Sequence, residues 1–253
     1  MSEAKPAHFL SADSAAFRYV EKTNPATSNL DFLTYGVYEL TGPVTSGVIS
    51  HPGEEALLFA WKGATKVNVN GVDHDLDNYD VLYVPKGAVY QLALDEGEAK
   101  VIVCRATAEN AHPVFHGKWA EMSKDESRIR HLAGKDVFLM FDVSEGADKL
   151  MAGYTIFEPK QRSWPPHNHT DQEEIYIFTQ GSGAMSVYPD DERKWFVNSV
   201  NEGDAVTIPL LNYHPVFSHD EELHFIWCIA GERYWVGDKN KDFMDGKVDK
   251  LTT

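Results

Sequence analysis

Residues 165–183 read PPHNHTDQEEIYIFTQGSG, and this stretch decides the fold. His167 and His169 stand on alternate positions, and Glu174 follows at the head of a β-like run that ends in Gly181. Side chains at i and i+2 of an extended segment point to one face. Two imidazoles placed that way can share a metal ion with a nearby carboxylate. A second stretch, GDAVTIPLLNYH at 203–214, completes the pattern with Gly203, Asp204, Pro209 and a third histidine, His214.

Outward from this motif, short β-rich runs alternate with turn residues: EALLFAWKG, TKVNVNGVDHDL, YDVLYVPKG and KVIVCRA, then EEIYIFTQG, DAVTIPLL and LHFIWCIAG. Many short strands punctuated by Gly, Asn-Gly and Pro predict an all-β sandwich or barrel. Helix-forming stretches are few, the best being SADSAAFRYVEK near the start and GKWAEMSKDESRIRHL at 117–132.

The chain also repeats itself. Asp80, Pro85, Tyr90 and Cys104 align with Asp204, Pro209, His214 and Cys228 at a single offset of 124, while LLFAWKGATKVNV at 57–69 aligns with IYIFTQGSGAMSV at 175–187 at 118. A longer hairpin, PDDERKWFVNSV, absorbs the difference. We therefore expect two copies of one β module, 1–115 and 116–253. The second copy reads H-x-H-x(4)-E-x(6)-G, then G-D-x(4)-P-x(4)-H, which is the signature of the cupin superfamily of double-stranded, jelly-roll β-barrels. Two positions depart from it: Gln161 stands for the usual glycine and Ser218 for the usual asparagine.

The metal hypothesis is His167, His169, Glu174 and His214, a set that suits Zn, Mn, Fe or Ni. The first copy has Tyr90 in place of the last histidine, His51 alone near the first motif, and Ala56 (or Glu55, if the alignment slips by one) at the carboxylate position. It is expected to be a degenerate barrel without a metal site.

Bulk properties set the class. The chain has 253 residues, 43% hydrophobic and 25% charged, with a net charge of -16 and only two cysteines, Cys104 and Cys228. Such acidity argues against nucleic acid or an anionic membrane as partner. No apolar run reaches the ~18 residues of a membrane span. The start, MSEAKPAHFL, lacks the basic and apolar regions of a secretory signal, and with so few cysteines a cytoplasmic protein is expected. A homo-oligomer is expected as well.

SWPPHNH, EEIYIF, IPLLNYHPV and IAGERYW, taken together, resemble the 5-deoxy-glucuronate isomerases of inositol catabolism and their relatives, the 5-keto-4-deoxyuronate isomerases of pectin breakdown. The resemblance covers most of residues 30–238. It implies two cupin barrels with a metal, usually described as zinc, only in the second, held by His167, His169, Glu174 and His214. Tyr213 and Pro215 reproduce the family's Y-H-P, and Ala230, Gly231, Arg233 and Trp235 match its closing A-G-x-x-R-x-W, one residue shorter here. An acidic insertion that the inositol-pathway enzymes carry between the second histidine and the glutamate is missing, which leaves the exact sugar acid open.

The implied reaction is aldose–ketose isomerisation through an enediol, in which a metal stabilises developing negative charge and a base shuttles a proton. Tyr176 and Tyr213 are the candidates to hydrogen-bond the substrate or relay that proton. Alternation along EEIYIF turns Glu174, Tyr176 and Phe178 inward and makes Glu173 a solvated acid. A uronate needs a cation, and Arg162 and Arg233, with Trp235 beside them and Lys194 as a weaker choice, are the candidates. The competing readings are an Fe or Ni dioxygenase on the same ligand set and a non-catalytic sugar-binding cupin.

Overall fold

In a computed structural model describing residues 16–163, 166–189 and 197–233, Cys104 pairs with Leu57 and Cys228 with Ile175. The two offsets of the internal repeat are thus strand registers. The turns repeat too. Asp80 accepts from the Asp77 amide at 3.1 Å and gives its carbonyl to Ala60, while Asp204 accepts from Asn201 at 2.8 Å and gives its carbonyl to Phe178.

Each copy builds a six-stranded antiparallel sheet. In the first the spatial order is 17–23, 34–41, 98–107, 54–62, 81–84, 115–117; in the second it is 129–132, 135–141, 151–157, 223–231, 172–180, 205–208. A smaller antiparallel sheet joins each: 44–45, 89–94, 65–69 and 72–76 with 49–50 in the first, and 198–201, 182–185 and 216–218 in the second. The first core draws Leu58, Leu82 and Val101 from the large sheet and Val67 and Leu92 from the small one. The second joins Phe178, Phe225 and Ile229 to Met185, Val200 and Val216 in the same way. Apolar faces of two sheets packed on each other are the physical content of the jelly roll.

Both helix expectations are corrected. Phe17–Thr23 is a strand paired to Thr34–Thr41, and the Ala-rich residues before it lie outside the described region. In 117–132 only Trp119–Met122 is α-helical, Glu126–Arg128 is a 3-10 turn, and Ile129–Leu132 is a strand. That strand returns through Ala133-Gly134, with Gly134 at φ 70°, onto Lys135–Phe141. Open sheet edges recruit these segments and override a mild helix propensity.

The described chain groups into two units that each take a piece of the other half. The first comprises residues 16–24, 34–119 and 146–148; the second comprises 25–33, 120–145 and 149–233. Glu173 is not a solvated acid, since it is 1% exposed. Its carboxylate accepts the backbone N–H groups of Asp31, Phe32 and Leu33 at 2.6–2.7 Å, all within the second unit. The outward side chain meets a covering segment whose amides need acceptors. Burial pushes its carboxyl above the usual range, against the pull of those three N–H groups. At the repeat-equivalent position Glu55, fully buried, accepts from Tyr83 Oη and from the amide of Asp148.

Candidate metal centre

Three loops and strands of the second unit converge on one point. The strand Gln172–Gln180 turns Glu174, Tyr176 and Phe178 inward. The loop before it carries His167 and His169. His214 comes from the loop between the strands Ala205–Ile208 and Val216–Ser218. The two loops are tied together: the Leu211 amide donates to the His169 carbonyl at 2.8 Å, and Asn168 Nδ2 donates to Leu211 O at 3.2 Å. Leu211 has φ 65°, and the Asn212 amide bonds back to Pro209 O. A positive φ at the third position of such a turn favours glycine or asparagine, so a leucine there is local strain beside the site.

One nitrogen from each of His167, His169 and His214 can lie within 4.8 Å of the others, and this is the only such group of potential metal ligands among the described residues. Glu174 Oε2 is 3.2 Å from His169 Nε2 and 3.2 Å from His214 Nε2. His214 Nδ1 lies 2.9 Å from the Asn212 carbonyl, and a proton donated there leaves the Nε2 lone pair free for a ligand. Glu174 Oε2 and His214 Nε2 are both buried without a hydrogen-bond partner among the described residues. Buried polar atoms left that way are costly unless something else satisfies them. Burial raises the Glu174 carboxyl, but the imidazoles of His169 and His214 outweigh it and hold the group at about 2. Burial, with His214 and His169 adding to it, holds His167 well below the ordinary imidazole value, so it stays neutral. A neutral imidazole, a carboxylate and orphaned lone pairs aimed together are what a divalent cation requires, so the residues fit a metal.

The cluster opens into a cavity whose apolar wall includes Val137, Leu139, Met151, Phe225 and Ile229. Tyr176 lines it, its ring 4.4 Å from Phe225 and 5.6 Å from His214. Burial, reinforced by the charge of Glu174, pushes its phenol well above the usual value. Trp227 lines it as well, over Gly153, where a Cβ would overlap the indole.

The structure brings four predicted residues and Tyr176 together and leaves the others elsewhere. Tyr213 stacks on Tyr188 with ring centroids 5.6 Å apart and exchanges backbone hydrogen bonds with it; it lies outside the cavity lining. Arg162 is an exposed residue bridged to Phe217 on a separate, shallow face. Arg233 spends its guanidinium on backbone carbonyls, reaching Leu150 O at 3.1 Å, Glu145 O at 2.8 Å and Asp142 O, and packs on the Phe141 ring. It fastens the loop 142–150 and does not reach the cavity. Trp235 and Lys194 lie outside the described residues. The two departures from the cupin pattern turn out to be partners: the Gln161 amide donates to Ser218 Oγ at 2.8 Å, and the Ser218 amide donates to Gln161 O at 3.0 Å.

Sequence reasoning missed the polar lining residues Arg130, Lys135, Thr155, Ser163 and Trp227. The signal was present as alternation. Arg130 and Leu132, then Lys135, Val137 and Leu139, fall on one face once 129–141 is read as a hairpin with period two.

In the equivalent place the first unit holds a closed network. Tyr90 Oη lies 2.7 Å from Tyr38 Oη and 3.0 Å from His51 Nε2, and His51 Nδ1 lies 2.9 Å from the Arg105 guanidinium. Arg105 also pairs with Glu54 and, at 3.2 Å, with Glu21.

Comparison with known proteins identifies the family. The KduI/IolB family profile matches residues 8–245. A 4-deoxy-L-threo-5-hexosulose-uronate ketol-isomerase of Bacillus licheniformis is 29% identical over 181 residues, 66% of this chain and 64% of that protein. The chain thus spans slightly under two thirds of that relative's length. A 5-deoxy-glucuronate isomerase of Listeria monocytogenes is 26% identical over 237 residues, 87% of this chain and 82% of the relative. Among solved structures, an IolB-like protein from Salmonella typhimurium superposes with TM-score 0.72 at 17% identity, covering 89% of this chain and 93% of that one. Bacillus subtilis oxalate decarboxylase reaches 0.71 at 13% identity over 89% and 76%. At such identities the structural matches show the shared cupin fold alone.

Proposed function

The chain belongs to the KduI/IolB family, and from that premise we propose that it is a metal-dependent ketol-isomerase acting on a sugar acid. The observation that carries the reading is the cluster of His167, His169 and His214 around the unsatisfied Glu174 Oε2. The named substrates of the relatives, a deoxy-hexosulose-uronate and a deoxy-glucuronate, set the class: a six-carbon deoxy sugar carrying a carboxylate.

These four residues would hold the metal, with zinc the choice that the resemblance implies and Mn, Fe or Ni compatible with the same donors. When bound, the metal supplies Lewis-acid stabilisation of the charge that develops on oxygen as a carbonyl and its neighbouring hydroxyl exchange places. A metal held by these four residues would need room for substrate oxygens beside its protein ligands in order to act on them. Burial keeps Tyr176 protonated, so its hydroxyl acts as a hydrogen-bond donor to a substrate oxygen. The apolar wall keeps bulk water from the reacting carbons and suits a deoxygenated position on the sugar. Tyr213, anchored on Tyr188, fixes the loop that presents His214 and takes no direct part.

Elemental analysis of the parent beside His169→Ala, with an isomerase assay of both on deoxy-uronates, tests this. We expect about one metal per chain, as a single four-ligand site requires, lost in the variant together with turnover. Metal retained in the variant refutes the ligand set. A metal-loaded parent that turns over no sugar acid refutes the isomerase.

A further inference from the structure

The cavity is a cationic pocket in an acidic protein. The chain carries a net charge of -16, yet apart from Glu174 the charged residues lining the cavity are Arg130 and Lys135, both cations. We propose that Lys135 and Arg130 bind the substrate's carboxylate, on the side of the cavity formed by the hairpin strands 129–132 and 135–141. This rests on the reading of the cavity as a sugar-acid site.

The sheet register places the backbones of Glu174 and Lys135 apart. Glu174 pairs with Ile229. Lys135 pairs with Phe157, which pairs with Leu223, toward the other end of the same strand. Arg130 sits opposite Val137 on the adjoining hairpin strand, so both cations enter from one side. Lys135 Nζ lies 5.0 Å over the Phe157 ring, which holds the ammonium against the wall it must reach past. Its side chain reaches back toward the cluster, close enough for Glu174 to raise Lys135 and for Lys135 to lower His167.

An acyclic sugar acid has this polarity, with the isomerising carbonyl at one end and the carboxylate at the other. The lining carries two cations, Lys135 and Arg130, against one carboxylate, Glu174, and an anion is the complement to that balance. Trp227 gives independent support. It is 7% exposed and lines the cavity, and its Nε1–H has no acceptor among the described residues. A buried donor without a partner is explained by an occupant that brings oxygen atoms.

The test uses metal-loaded full-length protein and titration calorimetry with D-glucuronate and D-glucose, which differ at the carboxylate. The parent should bind glucuronate at least about tenfold more tightly than glucose, and Lys135→Met or Arg130→Met should remove about tenfold of that preference. Lys135→Arg, which keeps the charge, should restore most of it. In a sugar-acid turnover assay, KM should rise more than kcat falls in Lys135→Met. Folded, metal-loaded Met variants that bind glucuronate as the parent does overturn the proposal. So does a parent with no preference for glucuronate over glucose, a comparison that needs no variant to fold. A parent that prefers glucuronate but isomerises nothing overturns the isomerase reading and leaves the anion site standing.

Discussion

Glu174 is an ionised carboxylate held almost dry, 3% exposed, between two imidazoles. Its carboxyl lies at about 2 in the fold against an ordinary 4.5. A depressed carboxyl stabilises the fold above its unfolded value, and that contribution is lost as pH falls through the folded value. In metal-free protein it is on the order of 3 kcal/mol, present above about pH 5 and gone near pH 2. His167 steepens the same limb from higher pH, because burial holds it neutral and protonating it in place opposes folding. We expect urea unfolding of metal-free parent and Glu174→Gln to show a gap that narrows as pH is lowered from 6 to 3. Parallel curves would mean that the carboxylate is not coupled to the imidazoles in solution. Glu173, its neighbour in sequence, has the opposite shift because its partners are backbone amides and burial wins.

At the scale of elements, the strand Met151–Phe157 matters for what it lacks. Gly153 pairs with Leu139 on one side and Trp227 on the other. A Cβ at Gly153 would overlap the Phe138 carbonyl and the Trp227 indole. Gly153→Ala should cost roughly 3 kcal/mol and push the indole toward the cavity, as overpacking against backbone does. Thermal melting and tryptophan fluorescence check this; an unchanged melting temperature and emission spectrum would contradict the packing.

The repeat and the motif made the large sheets and the four candidate ligands legible, since turn residues and ligands sit at fixed spacings. What stayed hidden depends on tertiary context. The residues 117–132 contain good helix formers, and only the neighbouring sheet edge makes Ile129–Leu132 a strand. Without that strand the alternation that aims Arg130 and Lys135 inward has no register. Arg162 stands just before the motif and Arg233 in the closing segment IAGERYW, and the fold directs both elsewhere. Glu173 was misjudged because period-two alternation does not show when the outer face of a sheet is covered.

For the whole molecule, the covering segments are the decisive feature. Glu173→Ala leaves the three amide groups of residues 31–33 without their acceptor, the Leu33 amide in a buried place and the other two partly buried. The expected loss is roughly 3 kcal/mol or more, with faster proteolysis at 25–33, measured by urea unfolding and limited digestion. If neither changes, the segment is held by packing alone. No helix among the described residues is long and apolar enough to cross a membrane, and the strong negative charge opposes polyanions.

The exchange of segments also bears on how such a chain is inherited. A duplicated module whose copies are separate can lose either one by deletion, and a copy left with one motif histidine would be a natural loss. Here the second unit includes residues 25–33 and the first includes residues 146–148. Deleting the first half would strip the metal-binding half of the backbone that Glu173 serves, and the ancestral single module could not be recovered by one cut. The N-terminal half thus carries a segment, residues 25–33, that belongs to the other unit whether or not that half binds anything.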